Sequence, residues 1–187
     1  MAGGGLLVVL QRCRAPGPRA GGRAGEFRQC LAMGGGHRRA RTFLADAVEQ
    51  IRSRLPIEPI VLWLSKGRVV VWQTFNNLAS GKYTDLVGGF DVKPLLDCKP
   101  ADVEDSSRGL MLVATVGKFN QKDKEQGDRK IFQVGLDAAD KSLWDMLKAR
   151  KDAQGVRRNF IIVYDEGHNL SNQQTDLLME LQPDALI

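Results

Sequence analysis

Cysteine is scarce: Cys13, Cys30 and Cys98 are the three in 187 residues, and no two form a C-x-x-C pair. That excludes a zinc ribbon and a disulfide framework, and it leaves the free thiols of a reducing cytoplasm. No apolar run is long enough to cross a bilayer, so no membrane partner is expected. Lysine, serine and aspartate are absent from residues 1–42, which hold ten of the 20 glycines. Such a stretch cannot bury enough apolar surface to offset its ordering entropy, which predicts a disordered tail over residues 1–41. Its apolar patch, Leu6 to Leu10, precedes the arginines, the reverse of a secretory signal. A mitochondrial transit peptide with this much arginine is usually rich in serine as well.

The net charge of +5 suggests nucleic acid, but the distribution qualifies it. Residues 1–41 carry eight arginines against the single acid Glu26, which is +7, so the other 146 residues carry −2. The basic character belongs to the tail and says little about residues 42–187, which are long enough for one domain with a real core.

The most informative stretch is Phe160-Ile-Ile-Val-Tyr-Asp165-Glu166-Gly167-His168-Asn169. A short run without polar alternation reads as a strand buried on both faces, as in the middle of a parallel sheet. Two carboxylates at its C-terminal edge stand where open α/β sheets bind ligands. An acidic turn after a strand is common in any protein; Asp-Glu-Gly-His directly after a buried one is more specific. The stretch resembles motif II (Walker B, the DEAD/DEAH type) of superfamily 2 helicases and translocases. It is most similar to the helicase-like subunit of type III restriction systems.

The resemblance runs over residues 43–187 and implies an α/β fold, a mostly parallel sheet flanked by helices: the first RecA-type lobe of such a motor. It implies ATP and Mg²⁺ as cofactors, with Asp165 holding the metal, Glu166 acting as catalytic base and His168 coupling the nucleotide site to nucleic acid. Leu64-Ser65-Lys66-Gly67-Arg68 followed by Gln73-Thr74 looks like motif Ia, and Thr115-Val116-Gly117-Lys118 after the run Gly109 to Ala114 looks like motif Ic. Ser65, Lys66, Arg68, Thr115 and Lys118 are thereby candidates for contact with the DNA backbone, beside the plainer reading of ordinary strand ends with solvated cations.

One part of the family pattern is missing. A phosphate loop, G-x-G-K-[ST], should precede the first helix, whose apolar face starts near Thr42 or Phe43 and continues through Leu44, Ala47, Val48, Ile51 and Leu55 to Pro56. Gly34-Gly35-Gly36-His37-Arg38-Arg39-Ala40-Arg41-Thr42 stands there instead, without the lysine that reaches the β- and γ-phosphates. Ser80-Gly81-Lys82-Tyr83-Thr84 follows a helix and reads as a turn. Gly36-His37-Arg38-Arg39 can be encoded so that a shift of one base reads Ala-Thr-Gly-Ala, a common start of phosphate loops, which makes residues 1–41 a candidate frame-shifted stretch. A second lobe, and a modification subunit as partner, belong to the family and are not in these residues. The expectation is a piece of an ATP-dependent DNA helicase or translocase with weak or no ATPase. The alternative is a non-catalytic nucleic-acid-binding module.

Elsewhere, Val69 to Trp72 suits a strand by propensity, while Val71, Phe75 and Leu78 suit a helix, which the motif Ia resemblance favours. Asp140 is a candidate cap for a helix with Leu143, Trp144 and Leu147 inside, and Lys148 to Arg158 reads as a basic, exposed connection. Ser171-Asn-Gln-Gln174 is a capping box for a last helix.

Overall fold

The computed structural model describes residues 6–8, 31–33, 37–119, 129–132, 141–165 and 170–187. Two aliphatic triplets in the stretch expected to lack order, β1 (Leu6–Val8) and β2 (Leu31–Met33), pair antiparallel with Leu7 opposite Ala32. Helix α1 (His37–Arg52) starts five residues before Thr42, so Thr42 lies in its second turn. His37 to Arg41 supply no large apolar residue, so the apolar periodicity of the sequence starts at Phe43, and Leu44, Ala45 and Val48 are buried against the sheet.

An unbroken apolar strand needs a neighbour on each side and a helical layer on each face. The runs β3 (Ile60–Ser65), β5 (Gly109–Thr115) and β6 (Phe160–Asp165) meet that requirement in a five-stranded sheet ordered β4-β5-β3-β6-β7. The outer strands are β4 (Phe90–Pro94) and β7 (Ala185–Leu186), and every pairing in this sheet is parallel. The expected α/β architecture is therefore present.

Side chains alternate between the faces. Val61, Trp63, Met111, Val113, Ile161 and Val163 face a layer made by Leu44, Ala45 and Val48 of α1, Leu78 of α2 (Arg68–Ala79) and Val87 of α3 (Thr84–Val87). Ile60, Leu62, Leu64, Leu110, Leu112, Phe160 and Ile162 face the opposite layer. That layer is made by Val103 of α4 (Pro100–Glu104), Leu143, Trp144 and Leu147 of α5 (Leu143–Ala149), and Leu177 and Leu178 of α6 (Asn172–Met179). Val69 to Trp72 is helical, as the motif Ia reading expected.

The last turn of α1 is fixed to the N-terminal edge of the sheet. Arg52 donates to Glu58 at 2.6 and 2.8 Å and to Glu49 at 3.0 Å, and its guanidinium lies over the Phe90 ring. With its C-terminus there, α1 runs back across the sheet and points its amino end toward the C-terminal edge of the strands.

Lys148 to Arg158 is not simply an exposed basic connection. Lys148, Lys151 and Arg157 are exposed, but Arg150 and Arg158 are among the most deeply buried side chains. Arg158 donates through Nε to the Glu58 carbonyl (3.0 Å), through Nη1 to those of Asp102 (3.2 Å), Val103 (3.0 Å) and Asp105, and through Nη2 to those of Pro59 (3.3 Å) and Arg108 (2.8 Å). Arg150 reaches the carbonyls of Arg158 (3.0 Å), Leu181 (2.7 Å) and Gln182 (2.6 Å). Burial pushes the Arg150 guanidinium down to about 10, so it stays charged at neutral pH. Burial lowers Arg158 as well, against the pull of Asp105. These cations satisfy backbone acceptors at the strand starts, where loops would otherwise bury carbonyls without donors.

Candidate nucleic-acid interface

The registers of β5, β3 and β6 place Thr115 beside Ser65, and Ser65 beside Asp165. Adjacent strands are about 4.8 Å apart, so three residues singled out separately in the sequence form one row about 10 Å wide. By alternation they share the face of Trp63, Val113 and Val163, the one covered by α1 and α2. The row lies at the C-terminal edge of the sheet, the ligand-binding edge of open α/β folds.

The chain leaves β3 through Lys66 and Gly67 straight into α2, so Lys66 and Arg68 stand at that edge, both exposed. Gly67 at the N-cap position supplies no side-chain acceptor to the first turn of α2. The amides there remain available to an anion at the positive end of a 12-residue helix. Among the described residues neither Lys66 nor Arg68 has an acidic partner. Half-buried Lys118 follows β5 in a single 3-10 turn, Val116–Phe119, at the same edge. Five of the sequence candidates, Ser65, Lys66, Arg68, Thr115 and Lys118, are thus brought together with Asp165. Glu166 and His168 lie outside the described residues.

One feature of this layer had no signal in the sequence. Ser65 Oγ, Trp63 Nε1 and Thr74 Oγ1 are buried without a hydrogen-bond partner among the described residues. Buried polar atoms are normally paired, so Ser65 Oγ at the end of its strand is an acceptor and donor still to be matched.

Among the described residues the side chains do not add up to a magnesium–nucleotide site. Residues 37–41, where a phosphate loop would end, are helical in α1 and include no lysine. Among the described residues no three His, Cys, Asp or Glu side chains converge as metal ligands. A cleft of about 390 Å³ lined by Leu78, Thr84, Phe90 and Lys93 opens at the β4 edge, with β5 and β3 between it and β6. Among the described residues no helix is long and apolar enough to cross a membrane. No family model, no curated protein and no solved structure matches the chain.

Proposed function

We propose that this chain is a RecA-type lobe of the superfamily 2 helicase and translocase kind, similar to the helicase-like subunit of type III restriction systems. In this reading it holds DNA along the C-terminal edge of its sheet and turns over little or no ATP by itself. The observation that carries the reading is the single row Thr115–Ser65–Asp165, with Lys66 and Arg68 on the adjoining helix start. The partly exposed Thr115, free helix-start amides and the exposed cations Lys66 and Arg68 suit phosphate oxygens, which fix the register of a nucleic acid without reading its sequence.

Weak turnover follows from the missing phosphate-loop lysine, whose place beside the β- and γ-phosphates no other described group takes. A second lobe and a modification subunit are the partners this reading calls for, in the cytoplasm.

The test is DNA binding across a salt series. Lys66→Ala and Arg68→Ala should each weaken binding and flatten the salt slope by about one unit. Deleting residues 1–36 should leave that effect in place. If the deletion removes the salt dependence and the two substitutions do nothing, the arginine- and glycine-rich tail is the binding element and the strand-edge reading falls. ATP hydrolysis should stay at background with and without DNA. A DNA-stimulated ATPase lost in Asp165→Ala would refute the second half.

A further inference from the structure

Helix α2 carries a strip that no other described element covers: Val69 is 69% exposed and Trp72 60%. The indole is the largest apolar surface the described residues leave in water. It is nevertheless braced. Phe75 meets it in a T-shaped contact, with centroids 5.7 Å apart and planes at 80°, and Phe75 packs against the core beneath α2. Trp72 is therefore braced on one side while most of it stays open.

The surroundings indicate what would lie on it. Arg68 is one turn back on the same helix, and Lys66 precedes it. From Pro59 to Thr84 the chain has no Asp or Glu and three lysines or arginines, Lys66, Arg68 and Lys82. A protein partner of ordinary composition would want a wider apolar centre with charge depleted around it. Two apolar side chains beside unopposed cations and open helix-start amides fit a ligand that is polyanionic along one side and flat and aromatic along the other.

We propose that Trp72 is a stacking platform for the bases of single-stranded nucleic acid whose phosphates are held by Lys66, Arg68 and the amino end of α2. This rests on the DNA-binding reading above and narrows it to unpaired strands. In a duplex each base face is covered by its neighbour, whereas a single strand can lay a base on an exposed ring.

Fluorescence tests it on the full chain. Trp63 is 0% and Trp144 7% exposed, so of the three tryptophans Trp72 is the one positioned to report a stacked base. An oligothymidylate of about a dozen nucleotides should quench the emission and bind the wild type (a length that covers one such site). Trp72→Ala should lose about five- to a hundredfold in affinity for it, and Trp72→Phe should keep most of it. An abasic oligomer with the same number of phosphates, and a duplex, should bind wild type and Trp72→Ala alike.

Equal affinity of Trp72→Ala and wild type for the oligothymidylate overturns the proposal. If Lys66→Ala and Arg68→Ala still weaken both oligomers in that case, the DNA-binding reading survives alone. If neither oligomer binds the wild type, both readings fall. A change in the sedimentation of the DNA-free chain on Trp72→Ala, with oligothymidylate affinity unchanged, assigns the strip to a protein contact and likewise overturns stacking.

Discussion

Replacing Arg158 with methionine removes the donor for six backbone carbonyls at once, from Glu58, Pro59, Asp102, Val103, Asp105 and Arg108. At roughly 1 kcal/mol for an ordinary net hydrogen bond the six sum to about 6 kcal/mol, which is a ceiling. The Pro59 oxygen keeps the Leu110 amide as partner, and the Asp105 end lies near solvent. The methionine side chain refills much of the volume. The expected loss is about 3–5 kcal/mol, from buried carbonyls left without a donor less what these compensations return. Total stability of a domain is about 5–15 kcal/mol, so the variant should be marginal. Arg158→Lys keeps the charge but not the fork of five donors, and should lose about 2 kcal/mol. Urea unfolding measures both, with a midpoint falling by roughly 2 M for the methionine variant if the slope is unchanged. A loss below about 1 kcal/mol would mean that water replaces the guanidinium at no cost, and that Arg158 does not clamp the strand starts.

Three further outcomes are expected. Thr74→Val keeps the shape of a buried side chain while deleting a hydroxyl that has no partner among the described residues, so thermal unfolding should show a gain of about 1 kcal/mol. Ser142→Ala removes the side chain that accepts from the Asp145 amide at the start of α5 and should lower stability by about 1 kcal/mol by urea unfolding. Burial raises the Asp102 carboxyl, but the hydrogen bonds from Lys93 and the Lys99 amide outweigh it and hold the group below the usual range. A lowered acid stabilises the fold above its unfolded pKa and ceases to as pH falls through the folded one. The difference in stability between wild type and Asp102→Asn should therefore shrink below about pH 4.

The sequence made the centre of the sheet legible because burial on both faces leaves a local mark. Phe160 to Tyr164 and Ile60 to Leu64 have no polar alternation, and both are central strands. Ser171 and Gln174 form the capping box their spacing announces. The Arg158 clamp was not legible. An arginine in a polar run looks solvated, and its acceptors are carbonyls 50 to 100 positions away, which are the same on every residue type. The end of α5 was hidden for a similar reason. Arg150 itself takes the left-handed conformation, φ 33°, where glycine would be the usual signal, and its side chain is tied down by carbonyls of the segment after α6. Helix α5 starts two residues later than a cap at Asp140 would place it, because Ser142 with Asp145 makes the capping pair; Asp140 itself lies outside the described residues. At the C-terminal edge of the sheet, motif spacing brings out Ser65, Thr115 and Asp165 one by one; only strand register shows that they are neighbours.

The sheet order also has a consequence for synthesis. Both neighbours of β3 lie later in the chain, β5 about fifty residues on and β6 about a hundred. At the usual pace of about 5–20 residues per second, β3 leaves the ribosome roughly 5–20 s before β6 does. Throughout that interval Ile60 to Leu64 is an aliphatic and aromatic strand with at least one open edge, and with two until β5 follows, able to pair with any other nascent chain. Its safe maturation therefore depends on how quickly the last third of the polypeptide follows, or on a chaperone that shields the open edge until Phe160–Asp165 arrives.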